Sequence, residues 1–147
     1  MSIKQISNFD SRSISILFYK FDKNSLCIFL QKSNSQYKDI GGILDRTDTF
    51  KSFLLRNLQN LNINVDFIND NIDKFQYNYN KKTKNILFLI NYSDINFDEN
   101  LYLWIPFNNI INDNLIKFRL HDRINNNYIL NKLKNINNKN LCKIRII

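Results

Sequence analysis

The apolar residues of this chain change period from Thr47 onward, and that change limits what the chain can fold into. Ile14–Phe18 and Leu26–Leu30 are apolar runs of strand length. Phe21-Asp22-Lys23-Asn24 between them has turn chemistry, so the spacing predicts a β-hairpin. Tyr37–Leu44 is a further extended stretch, expected to be broken by Gly41-Gly42. From Thr47 onward, Phe50, Phe53, Leu54, Leu58 and Leu61 fall on one face of a helix. Thr47 or Asp48 suits its N-terminus as a cap. Phe67–Phe75 shows no clear period. Phe75–Tyr79 and Asn85–Tyr92 read as two more strands, joined by a turn around Lys81-Lys82-Thr83-Lys84, and Leu101–Ile105 as another that ends at Pro106. Asp122–Asn135 reads as a helix with Ile124, Tyr128, Ile129 and Leu133 toward the core, and Leu141–Ile147 as a last strand or a packed tail. Hairpins mixed with helices, in place of regular βαβ units, predict an α/β fold with a mixed sheet and helices packed on it.

The length of 147 residues suits one domain, and neither a linker nor an internal repeat interrupts it. With 12 Phe and 7 Tyr the chain is too rich in core-forming residues to be disordered as a whole. It holds 27 Asn and 23 Ile, no Ala and a single Glu, Glu99. That skew follows codons rich in A and T, as in a compact genome of an intracellular virus or parasite. Asn then stands in for other polar residues wherever it is tolerated. Met1–Ser13 has no signal-peptide core, and the longest apolar run, Leu101–Phe107, is far short of the roughly 20 residues that cross a bilayer. These features lead to the expectation of a soluble cytoplasmic protein, in host cytoplasm if the chain is viral, without a membrane partner. Cys27 and Cys142 lack metal or redox spacing and read as free structural thiols.

The net charge of +8 is unevenly spread. Residues 1–113 hold 13 basic and 12 acidic residues, whereas residues 114–147 hold 8 basic residues against Asp122 alone. Two readings follow: attraction to the phosphates of RNA, or a lysine-rich helix that keeps the protein in solution. For the first, Lys117, Arg119, Arg123, Lys132, Lys134, Lys139, Lys143 and Arg145 are the candidate phosphate contacts. Tyr77-Asn78-Tyr79-Asn80-Lys81-Lys82-Thr83-Lys84 adds the best local mixture of aromatic and basic side chains, with Lys81, Lys82 and Lys84 as candidates. Trp104 and Tyr102 offer rings for stacking or for the core. His121 is the one His and has no nucleophile or metal-ligand spacing, so it reads as structural.

The segment with the most specific signal is Tyr37-Lys38-Asp39-Ile40-Gly41-Gly42-Ile43-Leu44-Asp45-Arg46-Thr47-Asp48, followed after seven residues by Arg56-Asn57-Leu58-Gln59-Asn60-Leu61. It resembles the Nudix box, and its Gly-Gly with Asp45 is like the divergent Nudix proteins of large DNA viruses. Gly42 takes the box's first Gly, Asp48 stands where the box has Glu, Arg56 matches its Arg, and Leu58 its aliphatic. The resemblance implies a single Nudix-like domain over residues 1–147, with residues 140–147 as an extension, and an α/β/α sandwich. It also implies a hydrolase whose box glutamates hold Mg²⁺ or Mn²⁺ for attack on a nucleoside diphosphate linkage. Those glutamate positions are Asn57, Asn60 and Leu61 here, and none supplies a charged ligand or a base. Asp45 and Asp48 are what is left for a weak metal site, with Asp94, Asp98 and Glu99 in a downstream loop. The reading is therefore a Nudix-like protein with a degenerate box, inactive, needing no cofactor, and binding nucleotide, RNA or a protein partner. The alternative is a divergent metal-dependent pyrophosphohydrolase acting on a nucleotide or capped RNA.

Overall fold

The structure, a computed structural model, describes residues 11–33, 36–112, 118–119 and 131–138. Strand β1 (Ser13–Asp22) turns into β2 (Ser25–Ser33) through Lys23 and Asn24 alone. Both have left-handed backbone, φ 50° and 70°, the pattern of a two-residue type I′ hairpin in which Asn is favoured. Strands β3 (Gln36–Lys38) and β4 (Ile40–Ile43) follow, then helix α1 (Phe50–Asn57), helix α2 (Val65–Asp70) and a single 3₁₀ turn (Ile72–Lys74). The second hairpin is β5 (Gln76–Asn80) and β6 (Asn85–Asn91). Strand β7 (Tyr102–Pro106), helix α3 (Phe107–Asn112) and the short β8 (Phe118–Arg119) complete the chain order, with a further helix, α4, over 131–138.

The eight strands among the described residues join one mixed sheet. β1 runs parallel to β6 along one edge, from Ser13↔Asn85 to Tyr19↔Asn91. Its other edge is shared: Phe18 to Asp22 pair with β2, and Ser13 to Ile16 pair with β4. β3 meanwhile pairs with the far end of β2, from Gln31↔Lys38 to Ser33↔Gln36. The β3–β4 segment is therefore a wedge between two strands that splay apart, and the chain passes from β2 to β1 at the fully buried Asp39. β7 covers the remaining edge of β2.

The sheet is buried on both faces, which is why Leu26–Leu30 and Ile86–Ile90 are continuous apolar runs without alternation. One face carries Ile14, Ile16, Phe18, Ile86, Phe88 and Ile90 under Phe50, Phe53, Leu54 and Leu58 of the α1 region. The other carries Leu17, Ile28, Leu30, Leu87 and Leu89 under Phe107 of α3 and Leu133 of α4. Helices thus cover both faces of a mixed sheet, as expected. Where β1 turns Ser13 and Ser15 toward the second face, their hydroxyls both donate to Asn85 Oδ1, at 2.7 and 3.3 Å, while the buried Asn85 Nδ2 has no hydrogen-bond partner.

Several expectations need correction. The break in the third extended stretch falls at Asp39, and the strand runs straight through Gly41 and Gly42. Neither glycine has positive φ. Gly41 is required instead by close approach: a Cβ there would lie 2.3 Å from the Ile14 carbonyl oxygen and 2.9 Å from Ser15 Cα. The helix cap is Thr49, whose side chain accepts from Ser52 N–H while the Ser52 hydroxyl accepts from Thr49 N–H. The helix ends at Asn57, so Leu58 and Leu61 complete the buried face from beyond the last helical residue. Phe67–Phe75 contains the last four residues of α2 and the 3₁₀ turn, and α3 arises where no element was expected. The C-terminal helix continues to residue 138, three residues past its expected end. The expected helix before residue 131, the Leu141–Ile147 strand or tail, His121 and Cys142 lie outside the described residues. Cys27 is buried and free.

The two glycines give a paired test. Gly41→Ala forces β4 off β1 and should cost about 1–3 kcal/mol, the range of an overpacked core. Gly42→Ala meets only the Asn57 side-chain amide, which can rotate, and should cost well under half as much. Urea denaturation of both variants measures the difference, and equal losses would contradict the wedge geometry.

Candidate functional site

The segment that resembles a hydrolase box is built as a strand, a loop and a two-turn helix. β4 delivers the chain at Ile43, the loop closes with Asp48 N–H donating to the Asp45 carbonyl at 3.0 Å, and α1 starts at Phe50. Arg56 lies eight residues beyond Asp48 on the last turn of α1 and reaches back across the loop. Its Nη1 and Nη2 donate to Asp48 Oδ1 and Oδ2, both at 2.8 Å, in a two-pronged ion pair. The same Nη2 donates to the Ile43 carbonyl at 3.0 Å, and Asp45 Oδ2 stands 3.7 Å from Nη1. One guanidinium therefore ties together the end of β4, both loop aspartates and the helix, while stacking over the Phe53 ring at 5.8 Å.

The Asp48 carboxylate has further partners. Asp45 N–H donates to Oδ2 at 2.8 Å and the Ser52 hydroxyl to Oδ1 at 3.1 Å. Its side chain is 7% exposed, against 43% for Arg56 and 67% for Asp45. The Arg56 bonds, the Asp45 N–H and the Ser52 hydroxyl hold Asp48 far below the usual carboxylate range, against the opposing effect of its burial. Asp48 is thus an anion whose two oxygens both accept from Arg56, Oδ2 also from Asp45 N–H, and Oδ1 also from a Ser52 hydroxyl that it shares with the Thr49 carbonyl at 2.9 Å. A divalent cation at this carboxylate has to displace a guanidinium, and the neighbouring Asp45 faces the same cation.

The three glutamate positions of the resemblance are placed in three different environments. Asn57 closes α1: its Nδ2 donates to the Phe53 carbonyl at 2.9 Å, and its Oδ1 occupies the space that Gly42 leaves open. Asn60 lies past the helix and hydrogen-bonds with the Tyr102 hydroxyl, whose ionisation burial pushes up. Leu61 is buried in the core under the α1 face. Among the described residues, no three His, Cys, Asp or Glu side chains gather as they would around a metal ion. The downstream carboxylates do not join the box. Asp98 Oδ1 accepts from Asn100 N–H at 2.9 Å within its own turn, and Asp94 and Asp98 each belong to a separate hollow on the flank of the domain.

The larger of these hollows, about 560 Å³, opens beside the end of α1. Gln59, Asn60 and Asn62 form one wall, and Asn96, Phe97 and Asp98 from the β6–β7 loop form the other. The sequence pointed to Asn60 and Asp98 separately. No local signal marks Gln59, Asn62, Asn96 and Phe97, because their grouping depends on two loops 34 or more residues apart in the chain.

The other candidates divide by position. Trp104 packs at a tilt on Phe29 at 5.0 Å and carries Lys20 Nζ 4.4 Å from its ring centre. Tyr102 is buried and stacked on Phe29 at 5.3 Å. Tyr77 packs near Phe88 at 6.4 Å, and Tyr79 lies against the same core. Lys81 and Lys82 are exposed at the β5–β6 turn, which Asn80 Oδ1 organises by accepting from Lys82 and Thr83 N–H. Lys132 and Lys134 lie on α4, away from that turn in sequence. Arg119 is placed in β8 by its backbone, while Lys117, Arg123, Lys139, Lys143 and Arg145 lie outside the described residues. No helix among the described residues is long and apolar enough to cross a membrane.

No protein-family model matches this sequence, and no curated protein matches it. Among solved structures the chain is similar to an Ap4A hydrolase of C. elegans, at 12% identity over 69% of this chain and 83% of that one, with a TM-score of 0.43. A binary complex of a C. elegans Ap4A hydrolase matches at 10% identity over 85% and 95%, with a TM-score of 0.46. The Nudix domain of Shewanella oneidensis NrtR, solved with ADP ribose, matches at 10% identity over 84% and 85%, with a TM-score of 0.45.

The clamp has a pH signature. A depressed Asp48 stabilises the fold above the unfolded carboxylate value near 3.8, and that contribution is lost progressively as pH falls below it. Asp48→Asn should be less stable than wild type at neutral pH, and the gap should narrow as the pH falls below 3.8. Thermal unfolding across pH 2–7 checks this (a range about the usual carboxylate values), and a gap independent of pH would show that the ion pair adds no stability.

Proposed function

We propose that this chain is a Nudix-fold domain that binds a partner without hydrolysing it, its box converted into a structural clamp. The observation that carries the reading is the full use of Asp48 by Arg56, Asp45 N–H and the Ser52 hydroxyl. A hydrolase of this kind needs carboxylates free to organise a cation and to take a proton from water. Here Asp48 is paired with a guanidinium whose Nη1 also stands 3.7 Å from Asp45. Asn57 bonds back into its own helix, and Leu61 contributes to the core. Glu99, the single Glu, is on the β6–β7 loop.

Two kinds of partner follow from the sequence. An RNA or nucleotide ligand would call on Lys81, Lys82 and Lys84 at the β5–β6 turn, or on Lys132 and Lys134 of α4. A protein partner would use the domain as a scaffold. The large hollow beside the box has no basic side chain in its lining, and this favours the protein partner.

The test is a hydrolysis screen with Mg²⁺ and Mn²⁺ over nucleoside triphosphates, nucleotide sugars, dinucleoside polyphosphates and capped RNA. No metal-dependent turnover is expected from the folded wild type. Turnover that disappears in Asp48→Asn while the variant stays folded would overturn the reading and establish a divergent pyrophosphohydrolase. Restoration of the box is expected to be limited by packing. Asn57→Glu and Asn60→Glu should fold, whereas Leu61→Glu buries a charge in the core and should cost at least about 2–3 kcal/mol in urea denaturation.

A further inference from the structure

The flank beside the former box has a charge that the rest of the chain does not share. Residues 57–73 and 91–103 contain Asp66, Asp70, Asp73, Asp94, Asp98 and Glu99, with no Lys or Arg, in a chain whose net charge is +8. The fold brings these two segments together. Asn62 N–H donates to the Asn96 carbonyl at 3.4 Å, and Asn64 N–H donates to the Tyr92 hydroxyl at 3.0 Å. The two segments also wall the hollow of about 560 Å³ described above and a second one of about 340 Å³. The second is formed by Asn64, Phe67, Asn91, Tyr92, Ser93 and Asp94. Each hollow therefore combines side-chain amides, at least one ring and one carboxylate. In the second, Phe67 is 45% exposed and lies 6.1 Å from Tyr92.

We propose that this flank is a docking surface for an extended, lysine- or arginine-rich polypeptide segment of a partner protein. Asn and Gln side chains carry both a donor and an acceptor, so they can bond the main-chain amides of an extended chain. The rings of Phe67 and Phe97 can carry the methylene stems of long basic side chains, whose charged ends then meet Asp94 and Asp98. A nucleic acid is disfavoured, because its phosphates would meet carboxylates with no cation in either lining. Two described cations touch these segments outside the linings: Lys51 Nζ pairs with Asp66 at 2.8 Å, and Lys32 Nζ donates to the Glu99 carbonyl at 2.7 Å. The proposal goes beyond the non-hydrolytic reading and does not need it, since turnover and peptide binding are measured separately.

The experiment is a fluorescence-anisotropy titration of the full chain with a labelled peptide of alternating lysine and asparagine. An asparagine–glutamate peptide and oligouridine serve as comparators, at low and moderate salt. The lysine peptide should bind, and binding should weaken with salt. The double variant Asp94→Asn, Asp98→Asn keeps the Asp98 acceptor for Asn100 and should weaken binding about tenfold. Phe67→Ala changes no charge and should weaken it by about threefold. Asp22→Asn, at the β1–β2 hairpin, should leave it unchanged. Equal weakening by Asp22→Asn would reduce the effect to bulk charge and overturn the proposal. It would also be overturned by oligouridine competing for the same site. A concentration-dependent dimer that the double variant dissolves would assign the flank to a second copy of the chain, against the proposal.

Discussion

Strand β1 is hydrogen-bonded along both edges and covered on both faces, and the rest of the molecule is arranged by that confinement. Three strands share it: β6 in parallel, and β2 and β4 along the opposite edge. Two partners fit on one edge only because β1 and β2 separate after their hairpin and admit the β3–β4 wedge. The wedge closes only because Gly41 lets its backbone meet Ile14 and Ser15 at a distance no side chain would allow. Everything that follows in the chain starts from where this wedge ends, at Ile43.

At that point a single guanidinium determines the local chemistry. Arg56 accounts for the Ile43 carbonyl, the Asp48 carboxylate and the charge of Asp45, so the loop between β4 and α1 is held by its own ion pair. Two charges partly shielded from water attract more strongly than exposed ones, and each must be satisfied if it is to stay charged. The same contacts that make the loop rigid occupy the oxygens that a cation would need. Rigidity and metal binding therefore compete for one carboxylate, and in this structure the arginine holds it.

Much of the framework was legible in the sequence because it depends on local chemistry. Lys23-Asn24 tolerates left-handed backbone, so the first hairpin could be placed from its turn. The spacing of Phe50, Phe53 and Leu54 marked the face of α1, and Pro106 marked the end of β7. Less legible were features set by distance in space. Gly41 reads as a turn glycine until β1 lies against it. Leu61 reads as a helical position until the helix ends at Asn57 and the residue still falls into the core. Trp104 and Tyr102 read as sheet-face packing sooner than as stacking platforms, and their contacts with Phe29, and that of Lys20 with Trp104, are set only by the fold.

The sequence by itself determined the element types, the mixed α/β class and the absence of glutamate at positions 57, 60 and 61, since these follow from side-chain period, turn preference and residue identity. Only the tertiary structure decided what the remaining residues do. It brought Arg56 onto Asp48 and so turned a candidate ligand into one half of an ion pair. It also drew the segments around Asn62 and Asn96 together, so that Asp94 and Asp98 came to line hollows without a basic side chain. Both outcomes depend on how far apart charges lie in folded space, and linear order does not contain that distance.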